Sequence, residues 1–323
     1  MYDFVERASC PACRSLHTRQ LFEAPFNSPV VGGLISRFYA RDSELIGHVT
    51  YRLDKCLVCE LVFQHYIGGR AFMEELYTNW VVGTNEPDTQ FETYRRDIEC
   101  KMLSRDAHEI LTAAAFLQKP VSALKTLDYG MGWALWARIA SHLGCDSYGS
   151  DLSVPRMDFA KRHGVKVLID AELGGHRFDF INTEQVMEHL PRPLETVEAL
   201  AGSLRPGGIL KISVPLGDHA SDAVRELRAA KSVDDWKNFM PVHPLEHINT
   251  FRRHSVRVMG AKAGLVEVRP NWLTRYAPYR TPGTWSLRKP RALMKELIRP
   301  YYQYHNSLNL YVWLRKPIVS AVS

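Results

Sequence analysis

The sequence has no long apolar segment and only a small excess of one charge. No apolar run approaches the roughly 18 residues that a membrane-spanning helix needs, and the start, Met-Tyr-Asp-Phe-Val-Glu-Arg, lacks a basic stretch followed by an apolar one. The 323 residues include 41 Lys and Arg against 35 Asp and Glu, a formal charge of +6, and 46% of them are hydrophobic. This composition excludes a disordered polyelectrolyte and a small disulfide scaffold. It predicts a cytoplasmic globular protein of roughly two domains, without a membrane span.

Cysteine is also scarce, yet four of the six cysteines form two C-x-x-C pairs, Cys10-Pro-Ala-Cys13 and Cys56-Leu-Val-Cys59. In a reducing compartment, two such pairs suit tetrahedral Zn²⁺, because each tight turn offers two sulfurs at about 2.3 Å from one ion. The alternatives are two unrelated pairs or a redox dithiol. Since four thiolates leave no open coordination position, we expect a structural ion, bound by Cys10, Cys13, Cys56 and Cys59.

The residues between the two cysteine pairs favour a zinc ribbon over residues 1–66. Their segment Gly47–Leu53 has the composition of a strand and would form part of the ribbon's hairpin. Arg14 and Glu60 follow the pairs, at the position where such turns often have glycine. Residues 67–120 then show apolar side chains at helical spacing, Phe72, Leu76 and Trp80 among them, which predicts two or three helices linking the ribbon to the rest of the chain.

After Pro120, strands and helices alternate, which predicts a parallel sheet with helices on both faces. The predicted strands are Leu124–Tyr129, Ser147–Ser150, Val165–Ile169, Phe178–Asn182, Gly208–Val214 and Leu265–Val268. The predicted helices are Trp133–Leu143, Pro155–His163, Leu194–Leu204 and Arg252–Ala263. Since sheets of this type bind ligands at the carboxyl ends of their strands, we expect the chemistry in the loops that follow them.

The first of these loops reads Leu-Asp-Tyr-Gly-Met-Gly-Trp-Ala at 127–134, and it favours a nucleoside ligand. Two glycines after a strand allow close approach of backbone to ligand. Asp151 lies 19 residues after Gly132, at the spacing of a carboxylate that binds ribose. The full dinucleotide pattern fails, because Leu135 occupies the last glycine position. Asp128 would repel a pyrophosphate but suits ammonium and sulfonium charges, which indicates S-adenosylmethionine.

With these motifs, the sequence resembles class I S-adenosylmethionine-dependent methyltransferases over roughly 124–314. The matching stretches are Leu-Asp-Tyr-Gly-Met-Gly at 127–132, Tyr-Gly-Ser-Asp-Leu-Ser at 148–153, Phe-Asp-Phe-Ile-Asn-Thr-Glu-Gln-Val-Met-Glu-His-Leu-Pro-Arg-Pro at 178–193 and Leu-Arg-Pro-Gly-Gly-Ile-Leu at 204–210. The resemblance implies a Rossmann-like α/β domain, 121–318, whose seven-stranded sheet places the last strand antiparallel between the fifth and sixth. The N-terminal Cys₄ module resembles that of bacterial sugar and natural-product methyltransferases.

The resemblance also implies a cofactor site. Gly130 and Gly132 would approach the methionine moiety, Asp128 would lie near its ammonium, Asp151 near the ribose hydroxyls and Asp170 near the adenine amino group, while Glu184 would face cofactor or acceptor. The alternative for Asp151 and Asp170 is a role as helix N-caps. Ala134 stands where many members of the family have a third glycine.

A general base for the acceptor is predicted in Pro-Val-His-Pro-Leu-Glu-His, which contains His243, Glu246 and His247. Histidine has an ordinary pKa near 6.5, within the working range of such a base. His247 is the first choice and Glu246 the second, and a buried structural histidine is the alternative. Glu184 and His189, after the fourth predicted strand, are further candidates, and for His189, at the start of a Pro-flanked turn, a structural capping role is the alternative.

Residues 271–307 form a basic, aromatic insertion ahead of the last predicted strand. From 271 to 323 the chain has nine Lys and Arg against one acid, Glu296, so the other 270 residues are nearly neutral. Three interpretations stay open: RNA binding, contact with an anionic or phosphorylated acceptor, and a basic lid or dimer surface.

The predicted function is therefore methyl transfer from S-adenosylmethionine to a small sugar-type or natural-product metabolite. The alternatives are an RNA methyltransferase and a cofactor-free binding or scaffold protein on the same fold.

Overall fold

The structure is a computed structural model that describes residues 2–81, 105–234, 236–280, 294, 298, 301 and 308–318. Its strands are β1 (Phe4–Glu6), β2 (Thr18–Pro25), β3 (Thr50–Cys56), β4 (Val62–Gln64), β5 (Tyr66–Gly68), β6 (Lys125–Tyr129), β7 (Asp146–Ser150), β8 (Lys166–Val167), β9 (Phe178–Glu184), β10 (Leu204–Pro215), β11 (Asn249–Thr250), β12 (Val266–Val268) and β13 (Asn309–Arg315). Its α-helices are α1 (Pro29–Tyr39), α2 (Arg70–Glu75), α3 (Arg105–Leu117), α4 (Leu135–His142), α5 (Val154–Arg162), α6 (Pro193–Gly202), α7 (Ala220–Ala229), α8 (Arg253–Lys262) and α9 (Trp272–Tyr276).

The chain divides into two compact units that alternate along the sequence. The first unit consists of residues 1–84, 187–196 and 214–262, and the second of residues 85–186, 197–213 and 263–323. Among the described residues, no helix is long and apolar enough to cross a membrane.

The first unit contains the cysteine pairs and an antiparallel sheet in the order β11-β4-β3-β2. Of the strand predicted at Gly47–Leu53, residues 50–53 are confirmed as part of β3, which starts at Thr50. Helix α1 was not expected, since its Val-Val-Gly-Gly start has low helix propensity. Burial of Val31, Leu34 and Ile35 overrides that propensity, and Gly33 lets the helix approach Val233 closely, since an added Cβ would lie 2.7 Å from its methyl group.

The second unit contains the predicted doubly wound sheet. Its strand order is β12-β13-β10-β9-β6-β7-β8, with parallel pairing from β10 to β8 and antiparallel pairing of β12 with β13. The last strand thus lies between the fifth and sixth strands of this sheet, as the resemblance implied. Strand β9 is buried along nearly its whole length, and the Phe180 and Trp136 rings stack with centroids 5.8 Å apart.

The predicted helices and strands after Pro120 are confirmed to within a few residues. The third strand, predicted at Val165–Ile169, is shortened to Lys166–Val167, and β10 starts at Leu204 instead of the predicted Gly208. Of the predicted linker helices, α2, a π-helical turn at Leu76–Trp80 and α3 are described. Residues 82–104 and most of the basic insertion lie outside the described residues, and so do the predictions made for them.

Candidate cofactor site, cysteine cluster and histidine cluster

The glycine loop follows β6 and is tied to the end of β7. Gly130 and Gly132 have positive φ angles of 71° and 54°, a conformation that favours glycine. A Cβ at Gly130 would lie 2.5 Å from a Val186 methyl group, so this position has no room for a side chain. The amides of Gly130 and Met131 donate to the Ser150 carbonyl at 2.8 and 3.0 Å. At Gly132, by contrast, an added Cβ would meet nothing within 4 Å among the described residues, which leaves room beside the loop.

Ala134, at the position where the resemblance implied a third glycine, has the left-handed conformation with φ 57°. It is fully buried, immediately precedes α4, and its amide donates to the Met131 carbonyl at 2.8 Å. The replacement of glycine by alanine therefore preserves the path of the loop at the cost of backbone strain.

Asp151 joins the glycine loop to the start of α5. One carboxylate oxygen accepts the Gly132 amide at 2.9 Å and the other accepts the Ser153 amide at 2.9 Å. Ser153, not Asp151, is the N-cap of α5. Each oxygen retains a further lone pair, so the carboxylate can also accept from ligand hydroxyls.

Asp170 lies at the start of a 3₁₀ turn, Asp170–Gly175, whose N-cap is Ile169. Its carboxylate is exposed and accepts a hydrogen bond from the Tyr129 hydroxyl at 3.2 Å. The N-cap alternatives for Asp151 and Asp170 are therefore wrong.

A buried polar network runs beneath the glycine loop. Asp128 is 3% exposed and accepts from the Asn182 amide at 2.8 Å. The ammonium of Lys211, itself 1% exposed, donates to the Asn182 carbonyl oxygen at 2.9 Å and to Glu184. Glu184 also accepts from Arg105 at 3.1 Å. The network thus connects two predicted cofactor residues, Asp128 and Glu184, through side chains of adjacent strands.

The pKa values of the two carboxylates in this network shift in opposite directions. Burial raises the pKa of Asp128 to about 7, although Asn182 and Lys211 favour its ionised form. For Glu184, burial acts in the same direction, but Lys211 and Arg105 outweigh it and lower the pKa. Asp128 is therefore poised to ionise when a cation binds beside it, whereas Glu184 is already held as an anion.

Sequence reasoning missed Asn182, Lys211 and Arg105. Two of them had a signal, because Asn182 and Lys211 are polar residues inside mainly apolar strand sequences, Phe-Asp-Phe-Ile-Asn and Ile-Leu-Lys-Ile. A polar side chain buried in a central strand must find partners, and these two find each other.

The four predicted cysteines lie together, with their sulfurs within 4.8 Å of one another. The Sγ atoms of Cys10 and Cys59 are 3.5 Å apart, as are those of Cys13 and Cys56. Both pairs have the same backbone turn. In each pair, the carbonyl of the first cysteine accepts from the amide four positions on, which is Arg14 in the first pair (2.8 Å) and Glu60 in the second (3.1 Å). The amide of the first cysteine donates to the carbonyl five positions on, at 2.9 Å in both pairs. Arg14 and Glu60 have φ angles of 60° and 64°, so both turns form in the left-handed conformation without the usual glycine.

The strand after the second cysteine pair positions the predicted base segment. Gln64, at the end of β4, donates from its amide nitrogen to the carbonyls of His243 and His247 at 3.1 and 3.3 Å. Strand β11 follows directly after His247 and Ile248 and pairs with β4. The cysteine cluster and the histidine segment are therefore parts of one folded unit.

The predicted base residues cluster with Tyr39, the last residue of α1. The Tyr39 hydroxyl lies 3.0 Å from Glu246 and 3.3 Å from Nδ1 of His243. Nδ1 of His247 lies 3.4 Å from the Met240 carbonyl, and Nδ1 of His189 lies 2.9 Å from the Glu246 carbonyl. His189, a further candidate base with a cap as its alternative, is thus a fourth member of this histidine cluster, which we define as His189, His243, Glu246 and His247.

Burial keeps the histidines of this cluster neutral. It lowers the pKa of His243 to about 3 and of His189 to about 4, in both cases with a contribution from His247, whose own pKa is also lowered by burial. His243 is 4% exposed and packs against Phe38 with ring centroids 4.2 Å apart, as a structural histidine does. The role of His247, Glu246 and His243 as bases stays a prediction.

Comparison with known proteins decides the family. The family described as "Methyltransferase domain" matches residues 94–269, which is more than half of the chain. The chain belongs to this methyltransferase family. This membership shows an S-adenosylmethionine-dependent methyltransferase, as predicted.

The methyltransferase has curated relatives named ubiquinone biosynthesis O-methyltransferase. That of Cereibacter sphaeroides (strain ATCC 17025 / ATH 2.4.3) is 25% identical over 175 residues, which cover 49% of this chain and 69% of the relative. That of Chelativorans sp. (strain BNC1) is 30% identical over 105 residues, which cover 29% of this chain and 42% of the relative.

Solved structures with a similar fold include the plantazolicin methyltransferase BpumL in complex with a pentazolic desmethylPZN analog and SAH. It is 15% identical, has a TM-score of 0.46, and the match covers 77% of this chain and 95% of that one. Another is the Burkholderia thailandensis 1,6-didemethyltoxoflavin-N1-methyltransferase, 19% identical with a TM-score of 0.40 and coverage of 72% and 87%.

Proposed function

We propose that this methyltransferase transfers the methyl group of S-adenosylmethionine to a hydroxyl oxygen of a small sugar-type or natural-product molecule. The observation that carries the proposal is the arrangement of Asp128, Asp151 and the open glycine loop between them. The proposed acceptor class is supported by the relatives that are named for O-methylation of a small molecule.

In the proposed cofactor site, each residue has a task set by its chemistry. Asp151, fixed by two amides, accepts from the ribose hydroxyls, and Asp128 balances the ammonium of the methionine moiety. Gly130 and Gly132 leave backbone open to the methionine chain, while Asp170 accepts from the adenine amino group. Glu184, held as an anion, favours the cationic cofactor over its neutral-sulfur product.

Methyl transfer is an in-line displacement at the methyl carbon, so the protein's main contribution is positioning. The acceptor oxygen forms a bond to the methyl carbon as the carbon–sulfur bond breaks, and the acceptor must also lose its proton. We assign the promotion of this proton loss to the histidine cluster. The Nδ1–H of His247 faces the Met240 carbonyl, so the lone pair of the ring is on Nε2. In the protein without a metal ion at this cluster, Nε2 would accept the acceptor's proton directly. Glu246 and His243 are proposed to hold the cluster together through Tyr39.

We further propose that the cysteine cluster binds one structural Zn²⁺. Four sulfurs within 4.8 Å of one another and two identical turns fit tetrahedral thiolate coordination. The ion would fix the start of β4 and, through Gln64, the backbone of the histidine cluster. The domain organisation stays a proposal, with a zinc ribbon at 1–66, linking helices at 67–120 and a methyltransferase domain at 121–318, whereas the compact units of the fold combine 1–84 with 187–196 and 214–262.

The proposal is tested first by calorimetry with S-adenosylmethionine. We expect binding by the wild type and at least tenfold weaker binding by Asp151→Ala, since that variant loses both the ribose contact and the Gly132 anchor. Absence of wild-type binding, or unchanged binding by the variant, would refute the assigned site.

A second experiment addresses the acceptor. We expect methylated product with hydroxylated small molecules and none with RNA, and a His247→Gln variant with lower kcat and unchanged cofactor affinity. RNA retardation that weakens steeply with salt would instead favour the RNA alternative.

A further inference from the structure

Three side chains of the first unit bring metal-binding atoms together away from the cysteines. The Glu188 carboxylate and the imidazoles of His189 and His247 each offer one donor atom, and these atoms lie within 4.8 Å of one another. We propose that Glu188, His189 and His247 form a second metal site, for a divalent transition-metal ion.

The hydrogen bonds of the two histidines orient them as metal ligands. Nδ1 of His189 donates to the Glu246 carbonyl at 2.9 Å, and Nδ1 of His247 lies 3.4 Å from the Met240 carbonyl. With the proton on Nδ1, the lone pair of each ring is on Nε2. A backbone carbonyl behind each ring is the arrangement that orients metal-ligating histidines in proteins, since it settles both tautomer and ring direction.

The third donor is a buried carboxylate on a well-anchored turn. Glu188 lies in the 3₁₀ turn Met187–His189 and is only 1% exposed. Its carboxylate supplies the oxygen donor of the set, beside the two imidazole nitrogens.

Both segments of the proposed site are held by neighbouring strands of one sheet. Asn249, in β11, donates to the carbonyls of Met187 and Leu190 at 3.0 and 2.7 Å and so clamps the turn. Gln64, in β4, donates to the His247 carbonyl at 3.3 Å. The donors therefore belong to a rigid part of the fold, which lowers the cost of binding.

The donor set indicates the class of ion. Two imidazole nitrogens and one carboxylate suit Fe²⁺, Co²⁺, Mn²⁺ or Zn²⁺ better than Ca²⁺ or Mg²⁺, which prefer oxygen ligands. Three protein ligands leave coordination positions open, in contrast to the closed set of four cysteines. The second site would thus accept an external oxygen ligand.

The part of this ion in turnover rests on the proposed function. Glu188, His189 and His247 would hold the ion, and the ion would make a bound hydroxyl lose its proton to solvent more readily. In an ion-loaded protein His247 would therefore serve as a ligand and not as the base, because its lone pair would already be used.

The test is a Co²⁺ titration of the metal-free full-length chain, followed by absorbance and by metal analysis after desalting. We expect two equivalents per chain, one with the intense thiolate-to-cobalt bands of the cysteine cluster and one with only weak visible bands. His247→Gln and Glu188→Gln should weaken the second equivalent at least tenfold and leave the thiolate bands unchanged. The matched control His243→Asn, in the same cluster but outside the donor set, should retain two equivalents.

Retained thiolate bands show that a variant has folded, so loss of the second equivalent cannot be attributed to unfolding. One equivalent in the wild type, or two equivalents in both donor variants, would overturn the second site. Calorimetry with S-adenosylmethionine tests the proposed function separately, because it measures cofactor binding and not metal binding.

Discussion

Binding of S-adenosylmethionine should depend on pH through Asp128. This carboxylate is buried, and burial raises its pKa to about 7. The groups that face it are the Asn182 amide and the Lys211 ammonium, which favour ionisation, and the Asp106 carboxylate, which opposes it. A ligand ammonium beside Asp128 stabilises the ionised form, so cofactor binding should release a proton wherever the free protein holds one.

The size of the effect follows from the pKa. At pH 6 about a tenth of the free protein has Asp128 ionised, so ionising it on binding costs about 1.4 kcal/mol, or tenfold in affinity. We expect the dissociation constant to fall about tenfold per pH unit between pH 5 and 7. Above pH 7 the dissociation constant should stop falling, because Asp128 is then already ionised, and near pH 8 the ammonium of the ligand begins to lose its proton.

The assay is calorimetry at pH 5 to 7 in buffers that differ in ionisation enthalpy, which reports affinity and proton release together. Asp128→Asn should bind weakly and lose the pH dependence, whereas the exposed control Asp170→Asn should keep it. A wild-type affinity that is flat between pH 5 and 7, or an Asp128→Asn variant with the same slope, would refute the reasoning.

Three further perturbations test the fold around the sites. Asp128→Asn should stabilise the cofactor-free protein at pH 8. The wild type loses stability as pH rises from the pKa of Asp128 in the unfolded chain to its raised pKa of about 7 in the folded one, and the neutral amide does not ionise. Urea unfolding should therefore show a larger free energy of unfolding for the variant at pH 8 and not at pH 4. Ala134→Gly should raise stability by up to about 1 kcal/mol through relief of the left-handed strain, measured by thermal melting, and a lower melting temperature would contradict the strain. Lys211→Met should destabilise by about 3–5 kcal/mol, because it leaves Glu184 and the buried Glu109, whose carboxylate lies 3.4 Å from the Lys211 ammonium, without their cation. The double variant with Glu184→Gln should recover part of the loss, and strict additivity would argue against coupling.

Removal of metal from the cysteine cluster should affect the two units differently. In Cys56→Ser we expect lower stability and little methyl transfer, because β4 and Gln64 lose their anchor. The cofactor residues belong to the second unit, so the affinity for S-adenosylmethionine should stay within about threefold of wild type by calorimetry. An equal loss of cofactor binding would show that the ion supports the whole chain.

Much of this methyltransferase was determined by local sequence signals. The alternation of apolar strands and amphipathic helices after Pro120 predicted the sheet to within a few residues, because period and turn chemistry are local properties. The C-x-x-C pairs, the glycine loop and Asp151 were equally readable, since short-range geometry dictates their residue types. The excess of basic residues was located in the last 53 positions by counting alone.

The tertiary structure decided what depends on contacts between residues far apart in sequence. Helix α1 forms because its apolar face is buried, although its propensity is low, and Lys211 matters because folding places it between Asn182 and Glu184. His189 lies with His247, 58 positions later in the chain, because Asn249 and Gln64 hold both segments. Sequence spacing reports neighbours along one helix or strand, whereas a site assembled from several segments exists only once the chain has folded.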